Sequence, residues 1–294
     1  MTERCQASCM HCYAGSGPDG TDGTMRPDDW IDVLDQAADL GVTMVQFIGG
    51  EPTLYAALPD LIAHAIGREM QVEVYSNLVH VTPAMWDVLA QPGVRLATSF
   101  YSDDPAQHRQ ITGRGTLARI QANITHALRR DIPLRVGVID LGGGQRVEAA
   151  RALLSDLGVT SIGLDRMRLL GRPATIPCDA SQLCGRCGDG IAAVLPDGTL
   201  TPCPMARWLS AGSVRTDALA DLATAARRIA ETHITPALPH SCRPPCEPQC
   251  NPGCNPGVDQ PGGGDGCQPK MNCNPNSACK PQEPCRPDVS CKPR

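Results

Sequence analysis

The sequence has no run of 18 apolar residues, so no transmembrane helix is expected. It has no long Lys/Arg run, and 26 basic against 31 acidic residues leave a formal net charge of −5. That balance gives no electrostatic support for a nucleic-acid partner. The N-terminus, Met1 to Cys5, lacks the apolar h-region of a signal peptide. Neither a Ser-His-Asp signature nor a phosphate loop is visible. From residue 242 onward apolar side chains run out: only Val258, Met271, Ala278 and Val289 are aliphatic or Met, against twelve prolines and six glycines. Such a stretch cannot bury a core, so residues 241–294 are expected to be an extended or disordered tail. The absence of export and membrane signals points to the cytoplasm. Thiols stay reduced there, and clustered cysteines more often bind metal than form disulfides.

What the chain does have is cysteine. Of its 16, seven lie before residue 204 and nine after residue 241. The first 240 residues are long enough for one large domain, or a domain with a small appendage. From residue 27 to 170 the pattern alternates helix and strand. Helices are expected at 27–40, 58–69, 82–90, 117–130 and 145–157, and strands at 42–48, 71–75, 94–100, 134–139 and 160–164. Pro27 suits a first helical turn, with Gly41 after the last. Thr82 and Pro83 read as an N-cap and first helical position. The continuous apolar run 42–48 reads as a buried strand. Five strands, each separated from the next by helix, make the class α/β with a mainly parallel sheet. In such folds ligands gather at the C-terminal ends of the strands. Here those ends are Gly49-Gly50-Glu51-Pro52, Ser76-Asn77, Tyr101-Ser102-Asp103-Asp104, Asp140 to Gly144, and Asp165-Arg166. His108 follows the third of them, and Asp103-Asp104-Pro105 is equally a good helix start.

Cys5, Cys9 and Cys12 have the spacing Cys-x3-Cys-x2-Cys. Three thiolates within eight residues can wrap one soft metal centre, an iron–sulfur cluster or zinc. A structural zinc wants a fourth ligand, and none follows nearby. The triplet, the aromatic Tyr13, a helix, a strand and then Gly49-Gly50-Glu51-Pro52 together resemble the radical S-adenosylmethionine (SAM) superfamily over roughly residues 4–170. The resemblance implies a partial (β/α)6 TIM-like barrel. It implies a 4Fe–4S cluster on Cys5, Cys9 and Cys12, with SAM on the unique iron. It further implies that Gly49, Gly50 and Glu51 receive the SAM amino group, that Pro52 fixes the turn and that His11 contacts adenine largely through its backbone. Ser76 and Asn77 would contact the ribose or carboxylate, and the Asp140–Gly144 loop sits where adenine is often touched. One electron from a flavodoxin or ferredoxin would cleave SAM to methionine and a 5′-deoxyadenosyl radical. The family usually has a strand leading into the first cysteine, and only Met1 to Arg4 stand there. Either the true start lies upstream or the sheet lacks its first strand; a missing N-terminus is the expectation.

Cys184-x2-Cys187, ten residues, Gly198, four residues and Cys203 resemble the auxiliary-cluster module SPASM, or its shorter form Twitch. Residues 191–201 read as a β-hairpin turning at Pro196-Asp197-Gly198, which returns the chain so that cysteines at both ends meet. Cys187 and Cys203 fit best, with Cys184 as third ligand and Cys178 as a candidate fourth; a zinc knuckle is the structural alternative. The expected organisation is a radical SAM core at 1–170, an auxiliary module at 171–240 containing an amphipathic helix near 216–232, and the tail. Every tail cysteine begins a Cys-x-Pro unit, from Cys242 to Cys291, which favours extended backbone. Auxiliary-cluster relatives mostly modify peptides, so maturation of a ribosomal precursor peptide is the leading functional reading. Oxidation or rearrangement of a small molecule such as a sugar or alcohol is the alternative. A non-catalytic metal-holding scaffold is the second.

Overall fold

A parallel strand pair cannot be joined by a tight turn; each pair needs a crossover. The computed structural model, which describes residues 1–234, shows that arrangement. Helix α1 (Pro27–Asp39) leads into β1 (Met44–Phe47), α2 (Leu58–Gly67) into β2 (Gln71–Tyr75), and α3 (Pro83–Leu89) into β3 (Val94–Phe100). Helices α4 (Pro105–Thr112) and α5 (Leu117–Arg129) precede β4 (Leu134–Asp140), and α6 (Val147–Asp156) precedes β5 (Ser161–Arg166). The five strands lie side by side in sequence order, every neighbouring pair parallel. The tail expected over 241–294 lies outside the described residues. No helix among the described residues is long and apolar enough to cross a membrane.

Local chemistry sets the element ends. Thr82 Oγ1 accepts from the Met85 amide at 3.2 Å and caps α3. Asp104 accepts from the Gln107 amide at 2.7 Å and caps α4, which closes on Gly113 in the left-handed region. That resolves Asp104 as a cap; Asp103 instead pairs with Arg146 through two contacts of 2.7 Å.

Side-chain alternation gives the sheet two unlike faces. Val72, Val74, Leu96, Phe100, Val136 and Val138 are buried in the same core as Leu61, Ile62, Leu89, Ile124 and Leu154 of the helices. Each such side chain contributes roughly 1.5–3 kcal/mol. The opposite face is polar. There Glu73, whose side chain is 1% exposed, receives Arg135 at 2.8 and 2.6 Å, Arg95 at 3.0 Å, and the Gln46 amide. Tyr75 and Ser99 share a hydroxyl contact of 2.9 Å, with the Arg135 guanidinium over the Tyr75 ring. The expectation that β1 is wholly buried fails: of its four residues only Phe47 is buried, and Met44 is 43% exposed. Only one side of the strand meets the helix layer.

Met1 to Arg4 form no strand of the sheet, although they run beside the end of β1. The Met1 amine donates to Ile48 O at 2.9 Å, the Gly50 amide to Thr2 O at 2.7 Å, and the Glu51 amide to Arg4 O at 2.8 Å. This close approach explains the paired glycines. A Cβ at Gly49 would stand 2.6 Å from Thr2 O, and one at Gly50 would stand 2.3 Å from Arg4 O.

Met1–Leu183 and Cys187–Ile234 form one compact unit, and Cys184–Arg186 fall in a second. Within the first, β6 (Ala193–Val194) and β7 (Leu200–Thr201) make an antiparallel hairpin. Its three-residue turn places Gly198 at φ 89, and the Gly198 amide donates to Leu195 O at 2.9 Å. The turn docks on the approach to α1: Pro196 O accepts the amides of Thr24 and Met25 at 2.9 and 3.1 Å. The final helix, α7 (Leu219–His233), joins the main core through Leu219, Leu222 and Ala226. A second, small core gathers Leu170, Leu183, Cys187, Cys203, Ala206, Ala230 and Ile234.

Candidate functional site

Three strand ends and one loop converge around the N-terminal cysteines. Cys5, Cys9 and Cys12 are free thiols, Cys5 buried and the other two partly so. The Cys5 amide is anchored on Gly17 O at 2.9 Å, and its sulfur accepts from the Ala7 amide at 3.4 Å and from Asn77 Nδ2 at 3.6 Å. Asn77 also exchanges side-chain contacts with Gln6 at 3.2 and 3.3 Å, which ties the loop to the end of β2. Burial pushes the Cys9 thiol up to about 12, with Cys5 and Cys12 adding to the shift and Arg172 opposing it. Burial likewise raises Cys5.

Glu51 lies at the end of β1 and is fully buried. Its Oε1 accepts from the Thr53 amide at 3.1 Å, the Thr53 hydroxyl at 2.8 Å and the Ser76 hydroxyl at 2.8 Å; its Oε2 accepts from the Asn77 amide at 2.7 Å. Burial raises its pKa while these four donors pull it down. The carboxylate thus braces the end of β1 against the end of β2, and most of its acceptor capacity is already used. Pro52, also buried, opens the short helical turn Pro52–Leu54. Leu78, buried at φ 54, completes the β2 turn; its amide donates to Ser76 Oγ at 3.0 Å. A branched residue held there costs about 1–3 kcal/mol, which the surrounding hydrogen bonds offset.

His11 packs against Tyr101 at 4.5 Å between centroids with the ring planes tilted by 54°, and its buried Nδ1 has no hydrogen-bond partner among the described residues. Burial lowers its pKa to about 4, and the Arg172 charge acts in the same direction. Tyr101, just past β3, is pinned through its carbonyl by Gln145 at 2.6 Å; the same side chain donates to Ile139 O and accepts from the Leu141 amide. The Asp140–Gly144 loop is therefore fixed to the end of β3. His108, 1% exposed, packs behind Tyr101 and contacts Thr116 Oγ1 at 3.2 Å. Ser102 is buried and accepts the Asp104 amide at 3.1 Å, while Asp165 pairs with Arg168 at 2.8 Å.

Among the cysteines of the second group, Cys187 and Cys203 are buried with their sulfurs 2.9 Å apart. Cys178 is exposed on a left-handed backbone, φ 58, and is not among the residues of their core. Cys184 is exposed and belongs to the second unit. Sequence reasoning missed Arg172. Its backbone amide donates to Cys12 O at 3.0 Å, and its guanidinium donates to Cys9 O, Gly15 O and Ser16 O. Such contacts end on main-chain carbonyls, so no residue type on the loop side announces them. Glu73 and its arginines were missed for a similar reason: their order becomes meaningful only once the strand register is known.

The family model of the radical SAM superfamily matches residues 1–157, and the chain belongs to that superfamily. More particularly, it is similar to PqqA peptide cyclases. It is 31% identical to that of Xanthomonas campestris pv. campestris (strain B100) over 178 residues, 58% of this chain and 46% of that protein. To that of Streptomyces rochei it is 29% identical over 197 residues, 63% and 53%. The chain spans about half the length of these curated relatives. Among solved structures, Streptococcus suis SuiB bound to S-adenosylmethionine matches at TM-score 0.51 and 17% identity, covering 56% of this chain and 39% of that one. Native anSMEcpe with bound AdoMet and Kp18Cys peptide matches at TM-score 0.62 and 11% identity, covering 84% and 83%. At these identities the likeness is one of fold.

The family implies a 4Fe–4S cluster and SAM. Among the described residues no three His, Cys, Asp or Glu side chains converge tightly enough for a single metal ion. A cubane cluster spreads its thiolates wider than one ion does. The donor set fits such a group: three free thiols on one loop, with Cys5 and Cys12 close enough to act on the Cys9 thiol.

Proposed function

We propose that this chain is a radical SAM enzyme that matures a ribosomally made peptide or protein. The observation that carries the reading is the placing of the Cys5–Cys9–Cys12 loop: Cys5 and Gln6 are hydrogen-bonded to Asn77 past the end of β2, and Arg4, just before the loop, accepts the Glu51 amide past the end of β1. A cluster and SAM, when bound, supply a 5′-deoxyadenosyl radical for hydrogen abstraction. The protein's task is then binding, orientation and exclusion of side reactions. Cys5, Cys9 and Cys12 would hold the cluster. Gly49 and Gly50 would offer strand-end backbone to the SAM amino group, with Glu51 holding Ser76 and Asn77 in place for the ribose or carboxylate. His11 and Pro52 complete the assignment, His11 beside adenine.

The five parallel strands are read as a partial (β/α)6 barrel without its first strand, occupying residues 1–170. The hairpin supports an auxiliary SPASM or Twitch-like module at 171–240. Cys187 and Cys203 would ligate a second 4Fe–4S cluster; Cys184 and Cys178 join them by sequence spacing alone. A flavodoxin or ferredoxin is the proposed electron donor, and the similarity to PqqA peptide cyclases supports a precursor peptide as substrate.

Anaerobic reconstitution tests this reading. The expected result is two clusters' worth of iron per chain and dithionite-dependent formation of 5′-deoxyadenosine. Joint replacement of Cys5, Cys9 and Cys12 by Ala should abolish that product; persistence of cleavage would remove the assignment.

A further inference from the structure

We propose that Arg172 is a positioning residue that holds the Cys9–Ser16 loop in its ligand-ready form and ties it to the core around Cys187 and Cys203. The proposal rests on the reading that Cys5, Cys9 and Cys12 hold a cluster. A loop of this kind has no ladder of its own to satisfy its carbonyls. Here one planar cation takes three of them, on Cys9, Gly15 and Ser16, while its amide takes the carbonyl of Cys12. Arg suits the task because five N–H donors in a fixed fork can reach several acceptors at once; a Lys ammonium has three donors on a point charge.

The residues before Arg172 complete the link. Gly171 lies at φ 65, and a Cβ there would stand 2.1 Å from Tyr13 O, so only glycine permits the contact. Leu170, 2% exposed, is buried in the core that contains Cys187 and Cys203, and Tyr13 packs against that core from the loop side. Three consecutive residues therefore touch both cysteine groups. A shift of the second core reaches the first loop through Leu170 to Arg172 by direct contact.

Hydrogen exchange read by mass spectrometry tests this on the full chain, before and after iron–sulfur reconstitution. In Arg172→Gln the amides of residues 12–17 should exchange at least about tenfold faster than in wild type, since several charge-assisted hydrogen bonds are lost. Arg172→Lys should restore part of the protection. Cys203→Ala should loosen the same amides although it lies outside the loop. Reconstituted Arg172→Gln should show a broadened EPR spectrum of the reduced SAM-binding cluster. Unchanged exchange at 12–17 in Arg172→Gln would overturn the clamp, and unchanged exchange in Cys203→Ala would overturn the tie. Where Arg172→Gln does not fold, equal protection in Arg172→Lys and wild type overturns the clamp. Wild-type protein that takes up no iron would sink the cluster reading instead, and the exchange comparison before reconstitution still decides the role of Arg172.

Discussion

Replacing Glu73 by Gln asks whether one buried carboxylate holds the polar face of the sheet. Glu73 receives Arg135 through two contacts, of 2.8 and 2.6 Å, and Arg95 at 3.0 Å. Its removal leaves two guanidiniums on adjacent strands with no shared counter-charge. Breaking a fully buried pair from one side costs about 3–5 kcal/mol. Arg95 and Arg135 are 45% and 44% exposed, so water recovers part of their loss. The expected cost at pH 7 is therefore ~2 kcal/mol. For a domain of this size that is roughly 4–8 °C in melting midpoint. The double variant Glu73→Gln/Arg135→Gln should lose less than the sum of the single changes, with a coupling of ~1–2 kcal/mol. Burial pushes the Glu73 carboxyl up, and hydrogen bonds from Arg135 and Gln46 outweigh that, leaving it below its ordinary value of 4.5. A depressed carboxyl stabilises the fold fully above the unfolded value and loses that contribution as pH falls through the folded one. Urea titrations should then show a constant gap between wild type and Glu73→Gln from pH 7 to about 5, shrinking below about 4.5. Equal midpoints at pH 7, or a gap unchanged at pH 4, would refute the reasoning.

Other expectations follow from single contacts. Gly50→Ala places a methyl 2.3 Å from Arg4 O, so Met1–Arg4 must shift; a melting midpoint equal to wild type would contradict this close approach. Thr82→Ala removes the α3 cap and should cost ~1 kcal/mol in urea unfolding, with iron content after reconstitution unchanged. His108 has a pKa lowered by burial. The unfolded chain takes a proton that the folded one refuses, so stability should fall as pH drops below about 6.5. His108→Asn should flatten that slope, measured by thermal melts across pH 7 to 5.

The alternation of elements was legible because buried parallel strands and amphipathic helices follow different periods. Strands 71–75 and 94–100 coincide with those expected. Helix α4 was visible only as its cap at Asp104, because its eight residues are too few and too polar for a clear apolar stripe. The exposure of β1 was not legible: an apolar run says nothing about which face will receive a helix layer. At the site, the cysteines, the two glycines and Glu51 could be read because each residue type is tied to its chemistry. The structural duties of Gly49, Gly50 and Glu51 could not. They depend on Thr2 to Arg4 and on Ser76-Asn77, and only the folded chain brings those segments to them.

The grip of Arg172 on Cys9 spans 163 residues of sequence, and that of Asp197 O on Thr24 Oγ1 spans 173. Such closures set an order in time. At about 5–20 residues per second, a ribosome needs roughly 10–30 s between making Cys9 and making Arg172. Through that interval Cys9 is without the support of Arg172. Contacts this distant also slow folding, because loop-closure entropy is met before they contribute. A segment made well before its partner is thus among the last to acquire its final shape, and the cluster proposed for it would be assembled after synthesis of Arg172 rather than before.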